Sequence, residues 1–485
     1  MSFATVLSIL GWGASAFAAI MVVPALFALG YGETDLASTF LVSAGLTFFT
    51  GGALVIATRG AAAAVSKREG FLVAVLAWAA YGFFGALPFF FSGYAGSVVN
   101  AYFESLSGLT TTGATIFADV ESLPFSILIW RALLQWVGGL GTIMLALALL
   151  TSAGVGGMHM FSSRMPWRER ADLQRRLRQA AISMSWVYAV LTVACAAALW
   201  TVGMPPFEAL SHALTTLSTG GFSTRNAGIA AFDSPLIEIV LMLFMIAAAT
   251  NFTLHWASLY GRAPRYHRDV ESRYFVAVLA VGAALAVASL IWLDDQSLGN
   301  SLRVGIFSAV SVLTTTGFSA AEGSAVAGWP IVLPVILIAL MLIGGSAGST
   351  AGGIKQMRLI IIFKLAGREL ARLSHPHGVV RMRYGRRPVD EETLRSVWGF
   401  LTIFMTAFAA ISIALSLLGV DLQTAVSATA ATLSNTGAAL PMIDDGSVYG
   451  EFSAGAKWVL SLSMILGRLE LVTILVLLTP AFWRN

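Results

Sequence analysis

Long apolar runs and short polar stretches alternate along the whole chain. Ten of the runs could each cross about 30 Å of hydrocarbon as a helix, and they lie near residues 4–29, 36–58, 71–93, 125–150, 180–203, 235–260, 274–293, 329–362, 396–418 and 456–482. Four other segments, of about 10–14 residues, are too short to span, and they lie at 99–109, 206–217, 300–313 and 422–433. The pattern predicts ten membrane spans and four half-helices that enter the membrane and turn back.

Each predicted half-helix runs into a loop that is rich in hydroxyl side chains and closed by a glycine. The four loops are Thr110–Gly113, Leu217–Gly220, Thr314–Gly317 and Ser434–Gly437. By subtraction of residue numbers the glycines are 107, 97 and 120 residues apart, which predicts a fourfold internal repeat. Glycine permits backbone conformations that turn successive carbonyls to one side, and carbonyl rings replace the hydration shell of the ion in channel filters. The loops are therefore predicted to form a cation site.

Spans and loops together divide the chain into a preface and four similar units. We predict a two-span preface at residues 1–70 and pore units at 71–160, 161–268, 269–370 and 371–485, each made of a span, a half-helix, a filter loop and a span. The chain has 57% apolar and 11% charged residues, whereas soluble domains carry about 25% charged residues. The predicted fold class is an all-α polytopic membrane protein with four units around a central pore, and a soluble enzyme with an anchor is excluded.

The charged residues predict the orientation in the membrane. With a cytoplasmic N-terminus, 24 of the 29 Lys and Arg residues fall on the cytoplasmic side, as the positive-inside rule expects. Acidic residues collect near the filter loops on the outer side, where they are predicted to attract cations. The half-helices would point their partly negative C-terminal ends at the membrane centre. Arg131, at the outer start of the fourth span, is predicted to snorkel to the surface.

A run of glycines interrupts the eighth predicted span. Because glycine costs about 1 kcal/mol per position in a helix, the run is predicted to unwind inside the membrane; the alternative is tight helix packing, since three of the glycines recur every four residues. Arg468 lies midway along the last span, where a charge is costly. Counting 31 residues from the filter glycines places Asn251, Gly348 and Arg468 in one layer inside the filter. The predicted gate is formed by Gly344, Gly345, Gly348, Gly352, Gly353, Asn251 and Arg468; in the alternative, Arg468 only bonds backbone carbonyls to support the fold.

The repeated loops, the glycine-rich break and the arginine in the last span resemble the Trk/Ktr/HKT potassium transporters. The two-span preface is similar to the bacterial Trk-type pore subunit rather than the eight-span Ktr type. The resemblance implies potassium uptake through a selective, gated pore in the bacterial inner membrane, with both termini cytoplasmic. It also implies a homodimer and a cytoplasmic ring of nucleotide-binding regulatory subunits (TrkA-like).

In that family, backbone carbonyls of the filter hold the potassium ion. The positions that match are Thr111, Thr112, Gly113, Ser218, Thr219, Gly220, Thr315, Thr316, Gly317, Asn435, Thr436 and Gly437. The second and fourth loops depart from Thr-Thr-Gly at Leu217, Ser218 and Asn435, which backbone ligation tolerates. No cofactor and no nucleic acid are implied, only the lipid bilayer and the transported ion.

Two other functions are compatible with the pattern. The nearer one is a symporter that couples sodium or protons to potassium, although a membrane potential already supplies about 2.3 kcal/mol per charge at 100 mV. The remote one is an intramembrane serine hydrolase, because Gly344–Gly348 matches G-x-S-x-G and His255 lies in the sixth span. The chain has no phosphate-binding glycine loop with Lys-Ser/Thr. The sequence therefore predicts a transport protein and not an enzyme.

Overall fold

Helices make up almost all of the regular structure in the computed structural model of the chain. The structure describes residues 1–60, 65–152, 170–259, 266–294, 297–321, 329–375, 382–385, 387–437 and 448–484. The first ten helices are α1 Phe3–Ile20, α2 Val22–Gly30, α3 Thr34–Ala57, α4 Lys67–Phe91, α5 Val98–Leu109, α6 Phe125–Ser152, α7 Arg170–Thr201, α8 Pro206–Leu217, α9 Pro235–Ala248 and α10 Phe252–Leu259. Short 3-10 helices lie at Gly228–Phe232 and Tyr266–Arg268.

The second half of the chain adds ten helices and one small hairpin to the described structure. The helices are α11 Val270–Leu293, α12 Leu298–Leu313, α13 Val332–Ile343, α14 Gln356–Ser374, α15 Glu391–Leu417, α16 Leu422–Leu433, α17 Val448–Glu451, α18 Ala454–Arg468, α19 Val472–Leu478 and α20 Pro480–Trp483. The strands β1 Arg383–Tyr384 and β2 Arg387–Pro388 pair antiparallel.

Seven helices among the described residues are long and apolar enough to cross a membrane, or eight if α9 and α10 are counted as one bent span. Large apolar side chains on these helices point outward, as lipid contact requires; examples are Phe49, Val193 and Trp292, which are 75%, 69% and 79% exposed. The all-α polytopic fold is thus confirmed. The exact count of ten spans stays a prediction, because the helices within 329–362 and 456–482 are interrupted: α13 ends at Ile343 and α18 ends at Arg468.

Four short helices, α5, α8, α12 and α16, occupy the places predicted for the half-helices. Three begin with a side-chain cap: Ser97, Ser297 and Asp421 each accept a hydrogen bond from the backbone N–H three residues later. The fourth, α8, begins with Pro206 at its first position, where a missing N–H costs nothing. Each of the four helices ends at a leucine and contributes buried residues to two apolar clusters, so the loop that follows begins from a rigid support.

The sixth predicted span is sharply bent, which the sequence did not predict. α9 and α10 make an angle of 102° across residues 249–251. The bend frees the carbonyls at the end of α9, and these accept hydrogen bonds from the glycine-rich segment instead: Ser346 N–H donates to Ala249 O at 2.9 Å. Asn251 caps the new helix by accepting from Thr253 N–H at 2.9 Å. The break in this span is therefore stabilised by contacts with the glycine-rich segment, which is distant in the sequence.

Candidate ion-binding site

The four hydroxyl-rich loops share one unusual backbone conformation. The second residue after each short helix has a left-handed φ although it carries a side chain; these residues are Thr111 (53°), Thr219 (54°), Thr315 (56°) and Asn435 (53°). A glycine with positive φ follows two positions later, at Gly113 (86°), Gly221 (76°), Gly317 (85°) and Gly437 (64°). Non-glycine residues adopt this region rarely and at a cost of roughly 1–2 kcal/mol. Because this costly backbone conformation recurs at four matched places, we interpret the four loops as parts of one functional site.

Backbone hydrogen bonds establish how the four loops correspond. In each loop the N–H after the left-handed residue donates back into the short helix: Thr112 to Ser107 O (2.8 Å), Gly220 to Thr215 O (2.9 Å), Thr316 to Ser311 O (2.9 Å) and Thr436 to Ala431 O (2.8 Å). Gly220 therefore matches Thr112, and Gly221 matches Gly113. The spacing based on Gly220 was wrong by one residue in the second loop, because two consecutive glycines there fit the sequence pattern equally well.

The loops touch one another through their glycines. A Cβ on Gly113 would lie 2.0 Å from the carbonyl oxygen of Gly220, and one on Gly221 would lie 1.9 Å from that of Thr316. A Cβ on Gly437 would lie 2.0 Å from the carbonyl oxygen of Thr112. Only glycine lets backbones approach this closely. The first loop thus meets the second, the second meets the third, and the fourth meets the first, so three contacts join all four loops.

Gln135 on α6 forms hydrogen bonds to the second loop on both sides of Gly221. The sequence pattern did not predict this role. Its Nε2 donates to Gly220 O at 2.8 Å, and its Oε1 accepts from Phe222 N–H at 3.1 Å. Gln135 is fully buried. The side-chain amide therefore satisfies one acceptor and one donor that flank Gly221, which holds the loop in place.

Asn435 stands in the fourth loop where the Thr-Thr-Gly pattern has its first threonine, and it connects that loop to the first loop. Its Nδ2 donates to Thr112 Oγ1 at 3.0 Å and to Met464 O at 3.0 Å. An amide can make both bonds at once, whereas a threonine hydroxyl has one proton to donate. The sequence change thus supplies a bridge between loops and leaves the repeated backbone conformation intact.

A buried ion pair lies behind the first two loops. Arg131 Nε and Glu104 Oε1 are 2.8 Å apart, and both side chains are almost completely buried. Arg131 also donates to Ser223 O at 3.2 Å, and its guanidinium lies 4.0 Å from the ring centre of Phe222. The prediction that Arg131 snorkels to the surface was wrong, because the half-helix carries the carboxylate that pairs with it.

Several outer acidic residues are paired with cations rather than free. Arg225 contacts Glu208 at 2.6 Å, and Arg303 contacts Glu238 at 2.8 Å and Asp233 at 3.0 Å. The negative field on the side predicted to face outward is therefore weaker than the number of acidic residues predicts. Beyond the filter, the Asn226 amide donates to Asp119 and lowers the pKa of that carboxyl.

The glycine-rich segment is an unwound loop and not a packed helix. It joins α13 to α14 over residues 344–355, and Gly344, Gly348 and Gly353 have positive φ. The loop lies directly against the filter: Gly352 N–H donates to Thr315 Oγ1 at 2.7 Å, and a Cβ on Gly352 would lie 1.9 Å from Ser434 O. The break is as predicted, and its closest contacts are to the third and fourth filter loops.

Residues predicted to form one layer lie around this loop. Arg468 is 4% exposed and donates from Nη1 to Thr350 O at 2.9 Å. Phe252 N–H, next to Asn251, donates to Gly348 O at 3.2 Å, and a Cβ on Gly348 would lie 3.3 Å from the Asn251 side chain. Gly345 and Gly353 lie in the same loop. A cavity of about 30 Å³ lies here, lined by Gly348, Gly352, Asn435, Arg468 and neighbouring residues.

Three further charged residues border the glycine loop, and the sequence reading did not assign them a role. Lys355 donates from Nζ to Ala351 O, and Arg358 pairs with Glu470 at 2.5 Å. The Arg358 guanidinium also lies 3.9 Å from the ring centre of Phe400. The ion pair thus joins Arg358 on α14 to Glu470 in the segment that follows α18.

The geometry does not bring a serine and a histidine together for hydrolysis. The ring nitrogens of His255 lie 2.9 Å from Ala247 O and 2.9 Å from Tyr266 Oη. Ser346, the serine of the G-x-S-x-G match, makes no side-chain hydrogen bond among the described residues. A nucleophilic serine needs a base within hydrogen-bond reach, so this arrangement speaks against the hydrolase alternative.

Comparison with known proteins identifies relatives along the whole chain. The family model for TrkH, described as a cation transport protein, matches residues 38–484. The Trk system potassium uptake protein TrkH of Salmonella typhimurium is 39% identical over 493 residues, with 100% of both chains covered. The same protein of Escherichia coli K12 is also 39% identical over its full length.

A solved structure supports the same relationship. The crystal structure of the potassium transporter TrkH from Vibrio parahaemolyticus superimposes with a TM-score of 0.91 at 37% identity, covering 100% of both chains. Sequence and fold thus agree over the full length of the chain. The chain therefore belongs to the TrkH family of cation transport proteins.

Proposed function

We propose that this chain carries out potassium uptake across the bacterial inner membrane through a selective, gated pore. Its relatives are named potassium uptake proteins and cover its entire length. The observation that carries the proposal is the set of four loops with matched left-handed residues, joined by three close glycine contacts. Arranged around one ion, these loops would offer it backbone carbonyls from four sides, which is how a filter replaces a hydration shell.

The ion is coordinated in this proposal by backbone carbonyls of the filter loops. The ligating segments are Thr111–Gly113, Ser218–Gly220 with Gly221, Thr315–Gly317 and Asn435–Gly437. Because α5, α8, α12 and α16 all end at these loops, their partial negative C-terminal charges add to the attraction for a cation. No carboxylate is needed in the filter, and the membrane potential supplies the driving force.

The glycine loop and Arg468 act as the gate beneath the filter. The loop contacts filter loops three and four through Gly352. Arg468 holds the loop by one bond to Thr350 O, while its Nε and Nη2 have no hydrogen-bond partner among the described residues. A purely structural arginine would be expected to use more of its five donors. The remaining donors instead present positive charge to a cation, which raises the barrier to its passage.

The active assembly in this proposal is a homodimer with a cytoplasmic, nucleotide-binding regulatory ring of TrkA type. Two observations support the regulatory partner: the relatives are named as parts of a Trk system, and most basic residues lie in segments predicted to be cytoplasmic. A basic cytoplasmic face suits a regulator with acidic contact sites.

A flux measurement tests this function. The purified chain is placed in liposomes with an inside-negative potential and no sodium or proton gradient, and uptake of rubidium and sodium is compared. Voltage-driven rubidium uptake in excess of sodium is the expected result. Uptake that requires a sodium or proton gradient would replace the passive pore with a symporter. Equal uptake of both ions would refute a potassium-selective filter.

A further inference from the structure

We infer that Glu271 is the latch that holds the glycine loop in its obstructing position. This inference rests on the proposed gate and adds a positioning residue to it. Glu271 is the second residue of α11 and is 4% exposed. No residue that the structure describes lies within ion-pair distance of it, although the Lys355 ammonium is close enough to act on it electrostatically. A buried carboxylate without a directly paired cation is costly unless its oxygens accept several hydrogen bonds.

The described hydrogen bonds of Glu271 go to the glycine loop and to the start of α14, the helix that follows it. Oε1 accepts from Ala347 N–H at 2.7 Å and from Met357 N–H at 3.2 Å. Ala347 is in the middle of the glycine loop, and Met357 is the second residue of α14. The N–H of Met357 is one of the donors that a helix leaves unsatisfied at its start. One oxygen thus joins the loop to the helix that follows it.

Ala347 and Met357, the two positions that Glu271 binds, lie on either side of the part of the loop that is proposed to obstruct the ion path. Between Ala347 and Met357 lie Thr350, whose carbonyl binds Arg468, and Gly352, which contacts the filter. Glycine-rich backbone has little conformational preference of its own, so external bonds decide its position. Hydrogen bonds to a carboxylate are roughly twice as strong as neutral ones. Removal of the Glu271 carboxylate should therefore release the loop without touching the filter.

A labelling experiment measures the position of the loop directly. Ser349 is fully buried within the anchored stretch. The reporter is a Ser349→Cys substitution in a chain whose lone native thiol is removed by Cys195→Ala. A membrane-impermeant thiol reagent is applied to the full chain in liposomes, and the labelling rate is recorded. We expect at least a tenfold faster rate with Glu271→Ala and a smaller increase with Glu271→Gln, which keeps a neutral acceptor. The rubidium-to-sodium flux ratio should not change.

Glu69 provides a matched control. It is also a buried carboxylate (5% exposed) in the first turn of a helix, α4, and accepts from Ser2 N–H at 2.6 Å and Ser66 N–H at 2.8 Å. The hydrogen bonds that the structure describes for Glu69 go to Ser2 and Ser66 and not to the glycine loop, so Glu69→Ala should leave the labelling rate unchanged. An unchanged rate in Glu271→Ala, or an equal increase in Glu69→Ala, would overturn the latch.

The readouts separate failure of the latch from failure of the proposed function. Labelling reports on the loop whatever ion the protein moves, whereas rubidium flux of the parent chain reports on the function. If Glu271→Ala does not yield a monodisperse protein, Glu271→Gln carries the test, and a rate equal to that of the parent then refutes the inference.

Discussion

Replacement of Gly221 by alanine probes the contact between the second and third filter loops. Gly221 has φ of 76°, and an added Cβ would lie 1.9 Å from Thr316 O. Since a Cβ essentially never approaches another heavy atom closer than 3.0 Å, one backbone must move by at least 1.1 Å. The left-handed conformation costs alanine roughly a further 1–2 kcal/mol. Both effects displace a carbonyl that is proposed to ligate the ion.

The expected result is a loss of selectivity that exceeds the loss of stability. We predict that Gly221→Ala lowers the rubidium-to-sodium flux ratio in liposomes by at least about tenfold, equivalent to about 1.4 kcal/mol. Gly45→Ala is the matched control, because Gly45 lies on α3 with nothing within 4 Å of the added Cβ. A flux ratio in Gly221→Ala equal to that of Gly45→Ala would refute the interlocked filter.

Three further substitutions test other parts of the account. Gln135→Leu leaves the Gly220 carbonyl without its buried donor, at a cost of about 1–3 kcal/mol, and should lower both the flux ratio and the melting temperature. Glu104→Gln leaves Arg131 as a buried charge without its counter-ion, and should destabilise the protein by about 3–5 kcal/mol in chemical unfolding. Arg468→Ala removes a fixed positive charge below the filter, and should raise rubidium flux with little change in the flux ratio; a tenfold rise corresponds to about 1.36 kcal/mol.

The controls for these substitutions use residues of the same type elsewhere in the chain. Gln423→Leu on the exposed first turn of α16 should change neither flux ratio nor melting temperature. Glu451→Gln, at the end of the short helix α17 and exposed, should cost little stability. Arg372→Ala, on the exposed end of α14, should not raise flux. Equal effects at each residue and its control would contradict the assigned roles.

Local signals in the sequence were sufficient for the half-helices and the glycine break. The helix Pro206–Leu217 has the predicted bounds, and Leu422–Leu433 does also. In both, the apolar helix pattern stops at a leucine followed by a hydroxyl residue. The break after Ile343 was predictable because several glycines within a few residues oppose helix formation.

Features that depend on distant partners could not be read from the sequence. The bend between α9 and α10 occurs where Ala249 O bonds a loop almost a hundred residues later. Gln135 and Glu271 gain their roles only when the fold brings backbone groups of other segments to them. The register of the second loop was ambiguous because Gly220 and Gly221 are adjacent, and only the hydrogen bond of Gly220 N–H distinguishes them.

The central claim is that backbone carbonyls of the four loops bind one dehydrated cation. Anomalous diffraction from crystals of the full chain in rubidium tests it most directly. We expect an anomalous peak among the carbonyl oxygens of Thr112, Gly220, Thr316 and Thr436, which potassium displaces and equimolar sodium does not. A peak that sodium displaces equally, or rubidium bound only away from these loops, would contradict the account.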